Sequence, residues 1–152
     1  MTHLQPGDAA PDFSGQIETG KTISLADYQG EKLILFFYPK DDTPGCTAAA
    51  CSLRDSYAEL RDQGYRMLGV SPDPVKKHAK FVDKYKFPFH LLADPEHTVL
   101  KAYGVWGPKK FMGREYDGVN RSTFIIDGEG KVAHVFTKVK TKTHAAQILE
   151  AV

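Results

Sequence analysis

The chain predicts an α/β protein: a mixed β-sheet with helices on both faces. Three observations predict it. Apolar runs of strand length, at residues 33–38, 66–71 and 122–127, are bounded by turn residues and are too short for buried helices. The first two are followed by longer stretches with apolar positions at helical spacing, so strands alternate with helices before the last part of the chain. The final strands are joined by a tight turn, Gly128-Glu129-Gly130, so the sheet cannot be purely parallel.

The elements follow in order. Residues 12–17 and 22–25 flank Glu18-Thr19-Gly20-Lys21 and read as a hairpin. Residues 33–38 form the first central strand. A helix over 46–62 ends near Gly64, a suitable C-terminal stop. Residues 66–71 are the next buried strand. Asp73 and Pro74 then supply an N-cap and an N1 proline for a helix that buries Val75, His78, Phe81, Val82 and Tyr85. Residues 89–93 form a short strand, and 95–103 a short helix capped by Asp94. Residues 104–120 hold Trp106, Phe111 and Tyr116 among several glycines and read as a long functional loop. Residues 122–127 and 131–136 form a second hairpin, and a last helix starts near Thr143. This order matches a thioredoxin-like fold best. No repeat, low-complexity tract or linker interrupts it, so residues 1–152 are expected to form a single domain.

Composition excludes several function classes. The longest apolar-aromatic run has strand length, far short of the roughly 20 residues a membrane-spanning helix needs. Residues 1–7 carry neither a basic start nor an apolar core of a signal peptide, so a cytoplasmic protein is expected. The six histidines show no HxH or HxxxH spacing and there is no second cysteine pair, so no structural metal site is expected. Net charge is only +1 but uneven: residues 1–75 hold 6 Lys/Arg and 11 Asp/Glu, whereas residues 76–152 hold 14 and 8. Lys109, Lys110 and Arg114 cluster, as do Lys138, Lys140 and Lys142. No aromatic residue interleaves the second group, so a solvated basic face is expected and no nucleic-acid partner.

The two cysteines carry the chemistry. Cys46 stands at the mouth of a helix, behind the turn Pro39-Lys40-Asp41-Asp42-Thr43-Pro44-Gly45. A helix N-terminus has unpaired N–H groups and partial positive charge, which favour the reactive thiolate. On a helical wheel Ala50, Leu53, Tyr57 and Leu60 fall within about 40° of Cys46, which places it on the core-facing stripe. Cys51 is offset by about 140°. Helix geometry separates their Cα atoms by roughly 8–9 Å, beyond the span of about 4.4–6.8 Å that a disulfide bridges. The pair can bond only if the first turns of the helix unwind. The small residues Ala48, Ala49 and Ala50 between them keep such opening inexpensive. From spacing alone, Cys51 is either a partner in that bond or an inert thiol.

The segment Pro39-xxx-Thr43-xx-Cys46 resembles the active-site motif of the peroxiredoxins. Thr43-Pro44-Gly45-Cys46-Thr47, Cys51, Gly104-Val105-Trp106-Gly107 and Phe111-Met112-Gly113 are similar to the bacterioferritin comigratory protein, or Q-type, branch. The likeness runs from about Gly7 to the C-terminus and includes Arg121 leading Ser122-Thr123-Phe124. It implies a thioredoxin-like fold and a cysteine peroxidase acting on hydrogen peroxide and organic hydroperoxides. Cys46 would be the peroxidatic cysteine and Cys51 the resolving one. Thr43 would hydrogen-bond thiolate and peroxide, Pro39 would shield the site from water, and Arg121 would place its guanidinium beside the sulfur. Thioredoxin or a related dithiol protein would return the disulfide to dithiol. No metal, flavin or haem is called for, and a monomer is expected.

These residue types suit the reaction. An ordinary cysteine is a few per cent thiolate at neutral pH, so full ionisation gains only about tenfold or a little more. The larger part must come from aligning the peroxide and stabilising charge as the O–O bond breaks. Two other readings stay open at this point. One is a redox-responsive binding module; the other is a thiol–disulfide oxidoreductase, against which the lack of a CxxC motif counts.

Overall fold

The computed structural model describes residues 2–152, the side chain of Phe111 excepted. An antiparallel pair, β1 (Ser14–Gln16) and β2 (Thr22–Ser24), opens the chain as the expected hairpin. β3 (Lys32–Phe37), β4 (Tyr65–Ser71) and β5 (His90–Ala93) run parallel to one another. A second antiparallel pair, β6 (Trp106–Phe111) and β7 (Arg114–Val119), stands outside the main sheet. β8 (Ser122–Ile126) lies antiparallel against β3, and β9 (Val132–Phe136) against β8. The main sheet is therefore mixed, in the order β5-β4-β3-β8-β9.

Alternation along β3 divides the interior in two, because successive side chains point to opposite faces. Leu33, Leu35 and Phe37 join Leu68, Val70, Phe124 and Ile126 on one face, covered by the N-terminal hairpin and α4 (Thr98–Ala102). Ile34, Phe36 and Tyr38 serve the other face. There they meet α1 (Pro44–Asp55), α2 (Tyr57–Asp62), α3 (Val75–Tyr85) and α5 (His144–Ala151) through Cys46, Leu53, Leu60, Phe81 and Ile148. Leu33, Ile34 and Leu35 are wholly buried, each adding about 1.5–3 kcal/mol of hydrophobic stabilisation. Gly69 on β4 is small for a reason: a Cβ there would lie 2.7 Å from the Phe36 ring and from Leu91.

Several local expectations need correction. The helix expected over 46–62 starts two residues earlier, at Pro44, and breaks at Ser56. Asp55 and Ser56 compete with the backbone for hydrogen bonds, which disfavours helix interior there. Asp73 does not cap α3. Pro74 is the N-cap, and the Asp73 carboxylate accepts from the Asp41 N–H instead, at 2.6 Å. Of the residues assigned to the core face of α3, only His78 and Phe81 are fully buried. α4 is shorter than expected, with His97 as N-cap at φ 64°, although Asp94 does accept from a first-turn amide, Leu100 N–H, at 2.8 Å. Residues 104–120 are not a loop. They form the β6–β7 hairpin, turning at Met112 and Gly113 with φ of 51° and 79°. Its strands are mostly exposed and polar, so no hydrophobic alternation marks them.

Candidate active site

Cys46 occupies the third position of α1, after Pro44 at N1 and with Thr43 as an extended N-cap. Its amide is one of the first-turn donors that have no intrahelical acceptor. Its side chain is 2% exposed and packs among Tyr38, Ala50 and Leu53. Arg121, seventy-five residues away, enters at the start of β8, and its Nη2–H donates to Cys46 Sγ at 3.3 Å. The Arg121 Nη1 is buried and has no hydrogen-bond partner among the described residues. That leaves one guanidinium donor unspent on the side chain that contacts the sulfur.

Gly45 makes this approach possible. A Cβ at position 45 would lie 3.1 Å from Arg121 Nη2, tighter than ordinary packing allows. Sequence reasoning read Gly45 only as part of a turn. Its backbone is not in the positive-φ region, so close approach and not conformational freedom is what requires glycine here.

The other expected residues lie in the preceding loop and farther along α1. Pro39 is half-buried, two residues past the end of β3 and directly after Tyr38. The Thr43 hydroxyl donates to Lys40 O at 2.8 Å, so its proton is committed to the loop and not to Cys46 Sγ. Its oxygen keeps lone pairs for a donor such as a peroxide O–H. Thr47 Oγ1, one residue past Cys46, is buried without a partner among the described residues. Cys51 lies on the same unbroken helix, half-buried, and both cysteines are free thiols. Burial pushes the Cys51 thiol above its ordinary range, with Arg54 opposing and Asp55 adding to the shift.

Beneath the Pro39–Thr43 loop lies a buried polar cluster that sequence reasoning missed. Tyr38 O–H donates to Asp41 Oδ1 at 2.6 Å, and His78 Nδ1 meets Asp41 Oδ2 at 2.6 Å. His78 Nε2 lies 3.1 Å from Leu92 O, which can only accept. One ring nitrogen thus faces that carbonyl while the other faces the Asp41 carboxylate, which ties the ring between β5 and the loop. Burial, with the nearby Asp41 charge second, raises the Tyr38 hydroxyl well above its usual range, so it stays a donor. His78 showed in the sequence only as one polar member of an apolar helix face; its partner is thirty-seven residues away.

On the solvent side a cleft of about 370 Å³ is lined by Lys109, Arg121 and Lys138, together with Asn120, Ser122 and residues 137 and 139. Lys109 Nζ donates to Val119 O at 2.9 Å. Burial, and then Arg121, lower its pKa, while Cys46 acts in the opposite direction. No cluster of three or more His, Cys, Asp or Glu side chains suited to a metal ion occurs among the described residues. None of their helices is long and apolar enough to cross a membrane.

A buried cysteine at a helix mouth, held against an arginine with an unspent donor, can present its sulfur to a small polar oxidant. Comparisons with known proteins agree. The family model of the AhpC/TSA family matches residues 6–135. Peroxiredoxin Bcp of Escherichia coli is 45% identical over 149 residues, covering 98% of this chain and 96% of that protein. Peroxiredoxin Bcp of Bacillus subtilis is 46% identical over 147 residues, covering 97% and 94%. Among solved structures, a bacterioferritin comigratory protein of Xanthomonas campestris, described for its alkyl peroxide reduction activity, superposes with a TM-score of 0.88 at 34% identity, over 99% of this chain and 96% of that one. The chain thus belongs to the AhpC/TSA family, within its Bcp-type peroxiredoxins, which are thiol-dependent peroxidases of thioredoxin-like fold.

Proposed function

We propose that residues 1–152 act as one catalytic domain that reduces hydrogen peroxide and organic hydroperoxides through Cys46. The observation that carries this reading is the 3.3 Å contact between Arg121 Nη2 and Cys46 Sγ, with Nη1 left unpartnered. The Cys46 thiolate attacks the terminal oxygen of the peroxide. The S–O bond forms as the O–O bond breaks, and the departing alkoxide or hydroxide takes a proton from solvent. Cys46 is left as sulfenic acid, oxidised by two electrons. Arg121 stabilises the charge that grows on the separating oxygens. Thr43 orients the peroxide by accepting its O–H, and Pro39 keeps water from the sulfur.

Cys51 then attacks the sulfenic sulfur, releasing water and forming a Cys46–Cys51 disulfide. The two lie five residues apart on α1, so the first turns of the helix must open. Thioredoxin or a related dithiol protein restores the thiols. A cytosolic monomer fits this cycle, which needs a reducing compartment and uses residues of one chain.

The test is Cys46→Ser in a thioredoxin-coupled assay with hydrogen peroxide and cumene hydroperoxide. Turnover should vanish while the circular dichroism spectrum is retained. Turnover near the wild-type rate in a folded variant would overturn the assignment.

A further inference from the structure

The lysines beside the site have no counter-charge. Lys109, Lys138, Lys140 and Lys142 make no ion pair among the described residues, whose pairs all lie elsewhere. No Asp or Glu occurs between Glu129 and Glu150. The segment carrying three of these lysines runs along the cysteine-bearing helix. At one end, Thr141 Cγ2 would touch a Cβ at Gly45, at 3.9 Å. At the other, Ala145 N–H donates to Ser52 Oγ at 3.0 Å. These two contacts bracket the part of α1 that holds Cys46 and Cys51. Lys138 and Lys109 line the cleft with Arg121, and Lys140 and Lys142 are exposed.

We propose that this uncompensated basic face is the docking surface for the reductant, a dithiol protein with acidic side chains around its thiols. The inference rests on the Cys46–Cys51 disulfide proposed above. A thiolate that attacks that disulfide must come within bonding distance of a sulfur on α1, and the lysine-bearing segment flanks that part of the helix. The donor thiolate forms a mixed disulfide with one cysteine and frees the other as thiolate. The donor's second thiol then attacks the mixed disulfide, which frees the second cysteine. The donor leaves oxidised, and its two protons pass to Cys46 and Cys51. Unpaired positive charge steers an acidic partner into place, an effect of about 10–10³ in association rate. A nucleic acid fits less well, because only Val139 and Thr141 stand between Lys138, Lys140 and Lys142, with no aromatic side chain to stack on bases.

The full-length protein, oxidised with one equivalent of hydrogen peroxide, is checked for the disulfide by mass spectrometry. It is then reduced either by a thioredoxin of net negative charge or by uncharged dithiothreitol. Wild type is compared with Lys140→Glu/Lys142→Glu and with Lys140→Arg/Lys142→Arg. At about 20 mM salt the Glu variant should lose roughly tenfold in thioredoxin rate, and the loss should shrink near 0.5 M. The Arg variant should keep the wild-type rate. Dithiothreitol rates and first-turnover peroxide consumption should be equal in all three. Equal thioredoxin rates, or an equal loss with dithiothreitol, would overturn the proposal. So would retention of a DNA or RNA oligonucleotide that the Glu variant loses while its thioredoxin rate is unchanged. If no disulfide forms, the Cys51 assignment fails by itself, and docking is read from thioredoxin reduction of the Cys46 sulfenic acid in the same variants.

Discussion

Gly45→Ala separates the stability of α1 from the chemistry at its mouth. Alanine is favoured over glycine in a helix by about 0.5–1 kcal/mol, and the backbone at position 45 is one alanine adopts freely. The new methyl would sit 3.1 Å from Arg121 Nη2 and 3.8 Å from its Cζ. The guanidinium must recede by a few tenths of an ångström, and its 3.3 Å contact with Cys46 Sγ stretches toward the limit of a hydrogen bond to sulfur. Removing a preorganised donor outright costs about 10²–10³ in rate, so partial displacement should cost about tenfold. Stopped-flow measurement of Cys46 oxidation gives the rate, and thermal unfolding of the reduced protein gives the stability. The expected pattern is an unchanged or higher Tm with an oxidation rate about tenfold lower. The double variant with Arg121→Ala, which alone should slow oxidation by about 10²–10³-fold, should be no slower than Arg121→Ala itself. A wild-type rate in Gly45→Ala, or additive losses in the double variant, would refute the idea that position 45 acts through Arg121.

Cys51→Ser should consume one equivalent of peroxide, stall with thioredoxin and accumulate sulfinic acid at Cys46, read by mass spectrometry after graded peroxide. Because burial holds the Cys51 thiol above its ordinary range while α1 is closed, alkylation of Cys51 in the reduced protein should speed up as pH rises, measured by quenched flow. The disulfide form should exchange amides faster over 45–51 than the dithiol form, with protection returning at Leu53, which is wholly buried beside the Ser52–Ala145 bond. His144 is held below its ordinary pKa by burial, with Arg121 adding to the shift and Gln147 opposing it. Folding therefore favours the neutral ring. Stability should be constant above the unfolded value of about 6.5 and fall as pH drops below it, a slope that His144→Gln should flatten in thermal unfolding.

The centre of the main sheet was legible because β3, β4 and β8 are almost wholly buried and read as largely apolar runs, as at 33–38. Cys46 was legible because proline, glycine and a following amphipathic helix mark a helix mouth. Arg121 stood out only through resemblance, since no local pattern joins it to a residue seventy-five positions earlier. The β6–β7 hairpin was hidden because its cross-strand partners, such as Lys109 with Tyr116 and Lys110 with Glu115, are mostly polar and leave no period-two signal. The Tyr38–Asp41–His78 cluster was hidden for a different reason. Burial of its polar groups is offset by contacts between three separate elements, and composition within any one of them looks ordinary.

That cluster makes the receiving side of the site a socket of fixed shape. Asp41 is held by Tyr38, His78 and Asp73 at once, and Arg121 leads a strand paired with β3. The sulfur, by contrast, rides on a helical turn that the proposed cycle must open and close. Once the thiols are restored, that turn docks into a socket already standing. Its closing is then a helix–coil event, on the order of a microsecond or less, and never the slow step of the cycle. The waiting time of the enzyme lies in opening the turn and in meeting its electron donor, so changes that loosen α1 should set its pace more than changes to the socket's distant supports.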